Sequence, residues 1–504
     1  MGRNDKRRVA SNFVSSLFGY VLSIAIGLIL PRFFTLTYGS EVNGLIGSVN
    51  QFVVYLGLFE AGVGTATLQA LYKPVALDDK NGISSIMNAA GAYYKKAGLY
   101  YLIGLLILCF GYPLAFKTDI SFFRVVAIVF LTGFINVLNF WVQGKYLVLL
   151  RAEGKNYILT NLNSAMNVLT GIIKIVLIRL RVDVVLIMAA AFLVNVGTMI
   201  FILIYIKVNY KWLDPTVSAD FKAIEQKNYV LIHEISTLIF NNTDIIILTI
   251  FCGLKVVSVY SMYKLVIIYL GNILSTITSS VEFSLGQLYQ TQKSEFVKRV
   301  DLCESVYSVS FHTFNSVALF LFIPFMRLYT AGITDINYVD YRLAVLFVTI
   351  ELLSSVRVMM TRTISFAGHF KLTTTRTIAE SIINLTVSLV AVRFWGIYGV
   401  LMGTVVALLY RTNDIIIYSN VRLIGRSPLK TYSIHLLNLV LLIAFQFVYK
   451  LLFPVIDSYV MFAVYGAAMV LMTAAAMTIV QMIAFPDFRS MIISVVKKLI
   501  GSKK

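Results

Sequence analysis

The chain has 504 residues, of which 59% are hydrophobic and 13% are charged, and its mean hydropathy is +0.82. This composition excludes a soluble globular protein of the same length. The formal net charge of +19 would indicate nucleic-acid binding in a soluble protein, but here the basic residues concentrate in particular loops. They report membrane topology instead, and no nucleic-acid partner is expected.

Hydrophobic runs of about 20 residues recur from end to end, and each is long enough to cross a bilayer as an α-helix. They predict an all-α polytopic membrane protein with about fourteen transmembrane helices. The predicted helices cover residues 12–30, 43–70, 97–114, 122–142, 157–178, 184–206, 229–251, 256–280, 303–326, 343–360, 375–392, 395–417, 432–452 and 459–484. The first helix is expected to end at Pro31, and residues 71–96 and 286–301 are expected to form polar loops.

The distribution of basic residues along these helices predicts the orientation of the chain. With fourteen helices, most of the 43 Lys and Arg residues lie on the same side as both termini. The positive-inside rule then places both termini in the cytoplasm. The external connections are short, so no large external domain is expected.

Two short matches indicate an internal repeat. The sequence VVYLG at 53–57 resembles IIYLG at 267–271, and Asn167 corresponds to Asn384 at nearly the same spacing. The repeat predicts two six-helix bundles with the same orientation, related by pseudo-two-fold symmetry, at 1–206 and 229–420. A cytoplasmic linker at 207–228 joins them, followed by two additional helices within 431–484 and an amphipathic cytoplasmic tail at 485–504. Transporters built from repeats hold substrate between them, near the membrane midplane.

The predicted helix at 229–251 is unusually polar for a membrane span. It contains His233, Glu234, Asn241, Asn242 and Asp244. Glu234, Asn241 and Asp244 share one helical stripe. Ionisable groups within a membrane usually face a protein interior or a water-filled cavity, so this helix is expected to line one.

Three segments carry a resemblance to a known family: LFEAGVGTATLQALYKPVALDD at 58–79, DIIILTIFCGLKVVSVYSMYKLVI at 244–267, and INLTVSLVAVRFWGIYGVLMGTVVALLYR at 383–411. They resemble bacterial polysaccharide flippases of the Wzx-like branch of the multidrug/oligosaccharidyl-lipid/polysaccharide (MOP) exporter superfamily. The resemblance implies a MATE-like fold that alternates between inward-open and outward-open states in the bacterial plasma membrane. It implies that the substrate is a polyprenyl-pyrophosphate-linked oligosaccharide, with membrane lipid, a glycan polymerase and chain-length machinery as further partners.

Such a substrate needs cations for its pyrophosphate and hydrogen-bonding groups for its sugars. The candidate cations are Lys264, Arg124, Lys174 and Arg357, and the candidate amides are Asn241 and Asn242. Each cation has an alternative interpretation, in which it snorkels to an interface or neutralises an acid.

Hairpin geometry predicts two intramembrane ion pairs, because their members lie equally far from a helix–helix turn. These pairs are Asp244 with Lys264 and Glu380 with Arg411. Either pair could rearrange during transport or serve as static neutralisation.

Three further carboxylates, Glu60, Glu234 and Glu351, are candidates for coupling to H⁺ or Na⁺. Glu60 and Glu351 have no evident cationic partner in the sequence, and burial favours the protonated form of such a group. The alternative is a neutral carboxyl group that bonds to a neighbouring helix. His233, beside Glu234, is a candidate relay.

The sequence lacks patterns typical of enzymes. His312, His369 and His435 are isolated along the chain, so no metal site is expected. No phosphate-binding glycine loop is present, so neither ATP hydrolysis nor a cofactor is expected, and we predict that the chain is not an enzyme. A multidrug or small-molecule antiporter of the same fold, and a non-transport member of the glycan assembly machinery, remain alternatives.

Overall fold

A computed structural model describes residues 22–60, 62–224, 227–453 and 455–501, apart from the side chains of residues 59, 227–237, 241, 370–371 and 495–500. All regular secondary structure in these ranges is helical. This follows from the composition, because a backbone within lipid must satisfy its hydrogen bonds internally. Eleven helical segments of the described chain are long and apolar enough to span a membrane.

The helices are numbered here in chain order. They are α1 (Leu22–Tyr38), α2 (Ser40–Leu56), α3 (Val63–Ala76), α4 (Lys80–Ala115), α5 (Phe122–Leu138), α6 (Gly144–Ala152), α7 (Asn156–Arg179), α8 (Val184–Asn209), α9 (Lys227–Phe251), α10 (Leu254–Thr291), α11 (Lys293–Tyr329), α12 (Tyr341–Val356), α13 (Val358–Phe366), α14 (Phe370–Trp395), α15 (Ile397–Tyr418), α16 (Leu429–Leu452), α17 (Tyr459–Ala484) and α18 (Pro486–Gly501). Each of the fourteen predicted helices has a counterpart among them, and α18 corresponds to the predicted tail.

Several predicted boundaries are wrong because helices continue beyond the apolar segment. The predicted loop 71–96 is largely helical, since α3 extends to Ala76 and α4 begins at Lys80. Only Gln292 separates α10 from α11 within the predicted loop 286–301. The 38 residues of α10 extend about 57 Å, whereas a hydrocarbon core is about 30 Å thick.

The first predicted helix also does not end at Pro31, because α1 continues to Tyr38. The Thr35 hydroxyl donates a hydrogen bond to the Pro31 carbonyl at 2.8 Å. Membrane helices tolerate proline where neighbouring groups satisfy the backbone.

Polar side chains define where several helices begin. The carboxylate of Asp79 accepts a hydrogen bond from the first turn of α4, Asp183 does so for α8, and Asp340 does so for α12. The Ser458 hydroxyl caps α17 in the same way. These caps satisfy backbone N–H groups that have no partner within the helix.

The chain contacts define two compact units, the first up to Val259 and the second from Tyr260 onward. The interior of the first unit contains two apolar clusters, one around Leu105 and Ile128 and the other around Leu71 and Leu149. The domain boundaries expected from the sequence remain predictions.

The first unit includes α9, which packs along α2 through a polar seam. The Asn43 amide donates to Ser258 at 2.7 Å, and the Gln51 amide donates to Asn242 at 2.7 Å. Between them, the Thr249 hydroxyl donates to Ser48 at 2.8 Å. These bonds join α2 to α9 and, through Ser258, to the start of α10, although α2 is far from both in sequence.

In the second unit, α14 and α15 approach closely at two glycines. A Cβ atom on Gly399 would lie 2.3 Å from the Ala391 carbonyl oxygen, and one on Gly403 would lie 2.1 Å from the Ser388 hydroxyl. Small residues spaced four apart permit such contact between membrane helices. This packing brings the polar residues near the far ends of α14 and α15 together.

Candidate functional site

The first unit contains a polar cavity of about 550 Å³ that lies among membrane-spanning helices. Its volume is within the range of about 300–1,000 Å³ that is typical of ligand sites. Its polar lining residues are Glu60, Tyr94, Asn136, Asn139, Gln143, Arg151, Asn156, Thr160, Asn163, Asn195 and Thr198. Amides dominate this set, and Glu60 and Arg151 are its acid and its base.

A break in the second predicted helix places Glu60 at this cavity. Residues 43–70 were expected to form one helix, but α2 ends at Leu56, a 3₁₀ turn follows, and Gly62 has φ 84° before α3 begins. That backbone conformation favours glycine. The Tyr94 hydroxyl donates to a carboxylate oxygen of Glu60 at 3.0 Å. Interrupted membrane helices often form the binding sites of transporters.

A π-helical turn from Asn139 to Gln143 forms another wall, between α5 and α6. The Trp141 indole donates from this turn to the Lys95 carbonyl on α4 at 3.1 Å. Gly98 lies beneath the indole, and a Cβ atom there would lie 2.4 Å from the indole nitrogen. Single π turns within helices occur frequently at functional sites.

The amides of this wall form a directed chain. The Gln143 amide nitrogen donates to Asn139 at 2.5 Å, the Asn139 nitrogen donates to Asn136 at 3.4 Å, and the Asn136 nitrogen donates to the Tyr101 hydroxyl at 3.1 Å. Gln143 is 7% exposed, and its amide oxygen has no hydrogen-bond partner among the described residues.

The opposite wall comes from α7 and α8. Asn156, Thr160 and Asn163 of α7 are spaced to share one helix face, and Asn195 lies on α8. All four side chains are exposed. Because exposed amides are unfavourable against lipid, their position at a cavity explains their presence in apolar helices.

The loop between α6 and α7 carries a charged cluster. Lys155 contacts Glu153 at 2.7 Å and donates to the Tyr210 hydroxyl at 2.9 Å, while that hydroxyl donates to Glu153. Burial and the bond to Glu153 raise the pKa of Tyr210 to about 12, and the same carboxylate raises the pKa of Lys155. This cluster joins the start of α7 to the end of α8.

The second unit contains the predicted pair of Glu380 and Arg411, whose charged atoms lie 3.6 Å apart, so the proximity prediction is confirmed. The pair belongs to a larger network. Arg357, predicted as a cavity cation, contacts the other Glu380 oxygen at 2.6 Å. Arg411 also contacts Asp414, and Arg376 contacts the second Asp414 oxygen at 2.6 Å.

The other predicted cations have different surroundings. Arg124 forms an ion pair with Asp183 at 2.8 Å, and both side chains are exposed, as the alternative interpretation expects. Lys174 is half-buried on α7 and forms no ion pair with a described acid. Lys264 lies over the Tyr260 ring, 5.6 Å from its centroid.

On α9, Asp244 is 5% exposed and Asn242 accepts a hydrogen bond from Gln51. The side chains of His233, Glu234 and Asn241 lie outside the described part of the chain. Asp244 and Lys264 belong to different units, so their predicted pairing remains a prediction. Among the described residues, Glu351 forms no ion pair and accepts a hydrogen bond from Ser355 at 3.3 Å.

The histidines are not all isolated. His312 and His435 stack with their ring centroids 5.8 Å apart, and both contact the Ser308 hydroxyl. Arg426 bridges to Glu304 at 2.5 Å, and burial lowers the pKa of Arg426 to about 10. This network joins α11 to α16. It was not predicted because its members are far apart in sequence.

The sequence interpretation also missed the amide cavity. Its signal was present, because Asn recurs within the otherwise apolar predicted helices at 122–142, 157–178 and 184–206, and Gln143 directly follows the first of them. The charged residues lie mainly on other helices, but a buried amide also requires a polar partner.

No family model and no curated protein sequence matches this chain. Several solved structures do match its fold. An inward-facing multidrug resistance MATE family transporter of the MOP superfamily is 17% identical, with a TM-score of 0.59, over 81% of this chain and 98% of that one. The lipid II flippase MurJ, in an inward closed conformation, is 12% identical, with a TM-score of 0.69, over 92% of this chain and 98% of that one. The fold is therefore that of the MOP transporters, as the sequence predicted.

Proposed function

We propose that this protein moves a polyprenyl-pyrophosphate-linked oligosaccharide, the repeat unit of a surface polysaccharide, from the cytoplasmic to the outer face of the bacterial plasma membrane. It does so by alternating access between two helical bundles and catalyses no covalent reaction. The amide-lined cavity within a MOP fold carries this proposal. Such a cavity offers many hydrogen bonds inside a membrane protein, and these are what a glycan requires.

The extent of the structural matches supports a flippase over a multidrug antiporter. The lipid II flippase covers 92% of this chain, whereas the MATE transporter covers 81% although nearly all of its own length is matched. The fourteen-helix architecture agrees with the longer match. A multidrug antiporter is the second candidate, since it shares the fold.

The second unit offers surfaces for the other parts of a lipid-linked substrate. An apolar groove of about 250 Å³ lies between α10 and α11. Its apolar lining includes Ile277, Val281, Leu302, Val306, Met359 and Met491. This groove would accept part of a prenyl chain, and the arginines of the Glu380 network are candidates to attract the pyrophosphate.

Transport requires an energy source, and the carboxylates are the candidates for coupling to H⁺ or Na⁺. Glu60 lies at the cavity, Asp244 lies on α9 and Glu351 lies on α12. We further propose cytoplasmic termini, in accordance with the positive-inside rule, and a place beside a glycan polymerase and chain-length machinery.

The test is the location of lipid-linked glycan in cells that lack this protein. A membrane-impermeant glycan-modifying enzyme is added to intact spheroplasts, and opened spheroplasts serve as the control. Accumulated glycan that stays protected until the membrane is opened supports a flippase. Glycan that is fully exposed but unpolymerised would contradict it and favour a role after flipping. Normal glycan together with lost drug resistance would favour the antiporter.

A further inference from the structure

The cavity of the first unit contains a buried acceptor, the Gln143 amide oxygen, at the end of the chain of amides. The Gln143 amide nitrogen donates a hydrogen bond to the Asn139 amide oxygen, and the Asn139 nitrogen donates to the Asn136 oxygen. The Gln143 amide oxygen therefore remains without a partner among the described residues, and the side chain is 7% exposed. A buried acceptor without a donor is costly, so this position favours a ligand that supplies a hydroxyl or an amide N–H.

The backbone holds this acceptor in place. Gln143 and Asn139 belong to the π turn, and both line the cavity. The Trp141 indole, which is seated against Gly98, anchors the turn to α4 through the Lys95 carbonyl. Preorganised polar groups on rigid elements are typical of binding sites.

The remaining surfaces match a neutral sugar better than the other parts of the substrate. The exposed amides Asn163 and Asn195 lie on the opposite wall and can both donate and accept, as sugar hydroxyls do. Phe140 adds a half-buried aromatic face to the lining. A pyrophosphate would instead require several cations, and a prenyl chain would require apolar walls.

We infer that the cavity of the first unit is a carbohydrate subsite, in which the Gln143 oxygen accepts a hydrogen bond from a neutral sugar residue of the transported glycan. This inference deepens the proposed function and rests on it. Gln143 orients the sugar from the π turn, and Asn163 contacts it from α7. The site takes a hexose or an N-acetylhexosamine, including one that is not attached to lipid.

The experiment measures binding of free sugars to the purified full-length protein by saturation-transfer difference NMR. The probes are glucose, galactose and N-acetylglucosamine, each titrated separately. Two variants remove the site, Gln143→Leu from the buried wall and Asn163→Ala from the exposed wall. The controls are Gln481→Leu, which alters another buried glutamine with an unpartnered amide atom, and Asn209→Ala, which alters another exposed asparagine.

We expect at least one sugar to bind the wild-type protein. Its dissociation constant should be about five- to tenfold larger in each site variant. Both controls should match the wild type. Asn163→Ala keeps the inference testable if Gln143→Leu misfolds. No binding of any of the three sugars to the wild type, or equal binding by the site variants and the controls, would overturn the inference.

This result is independent of the spheroplast assay. The purified protein could show sugar binding that depends on Gln143 while cells lacking the protein expose their lipid-linked glycan normally. That outcome would support the subsite and contradict the flippase function. Protected lipid-linked glycan without sugar binding would retain the flippase and remove the subsite.

Discussion

Replacing Glu380 should destabilise the protein more than replacing Arg411, although the two residues form one ion pair. Glu380 contacts both Arg357 and Arg411, and its side chain is 6% exposed. In Glu380→Gln, both arginines lose this carboxylate, and Asp414 is then the acid of a network that contains three arginines. Removing one partner of a buried pair costs about 3–5 kcal/mol.

Arg411→Met leaves a different charge balance. Glu380 keeps Arg357 at 2.6 Å, and Asp414 keeps Arg376 at 2.6 Å, so two complete pairs remain. The variant loses the Arg411 hydrogen bond to Thr377, which contributes about 1 kcal/mol. Methionine fills a similar apolar volume. Glu380→Gln should therefore be less stable than Arg411→Met by about 2–4 kcal/mol.

Thermal unfolding of the purified variants in one detergent provides the measurement, with Arg124→Met as a control for an exposed pair. The expected order of unfolding temperatures is wild type and control highest, Arg411→Met next and Glu380→Gln lowest. Transport by Arg411→Met then distinguishes static neutralisation from a rearranging pair, because a static pair predicts retained transport. An Arg411→Met protein less stable than Glu380→Gln would refute the charge-balance argument.

Three further predictions concern the first unit. In the α2–α9 seam, Ser48→Cys with Thr249→Cys should form a disulfide upon oxidation, since the two hydroxyls are 2.8 Å apart. The disulfide should abolish transport, and a reductant should restore it. Full transport by the crosslinked protein would show that the seam stays closed. Gly98→Ala should lower the unfolding temperature because its Cβ atom would meet an indole ring, whereas Gly111→Ala on the same helix meets nothing within 4 Å and should be neutral; equal effects would contradict the close packing. Tyr210→Phe should remove a stabilisation that the wild type has below pH 10 and loses between about pH 10 and 12, because the folded protein retains that proton longer than the unfolded chain. Unfolding temperatures of both proteins across this range should converge, and parallel curves would exclude the effect.

Hydropathy alone accounted for the order of the apolar helices. Each predicted apolar run has a helical counterpart, because a chain in lipid can satisfy its backbone in few other ways. Helix ends were predicted less well, since α4, α10 and α11 extend beyond the apolar runs from which they were predicted. Similar sequence positions also diverge, since α2 ends at Leu56, just before Gly57, whereas α10 continues through the predicted equivalent, Gly271.

The Glu380–Arg411 contact could be predicted because a short turn and an antiparallel hairpin determine relative depth. The inclusion of Arg357 could not, because it depends on how α12 packs beside that hairpin. Arg426 likewise meets Glu304 over a long sequence separation, and no local pattern indicates the partner.

The sequence by itself determined a helical membrane protein with ionisable residues inside its apolar helices, because hydrophobicity and helical periodicity are local properties of the chain. Only the tertiary structure decided that Glu60, the π turn and the amides of α7 and α8 surround one cavity. The physical reason is that a cavity forms where several helices fail to fill space together. That failure depends on the break at Gly62 and the packing of Trp141 on Gly98, which arise from contacts rather than from composition.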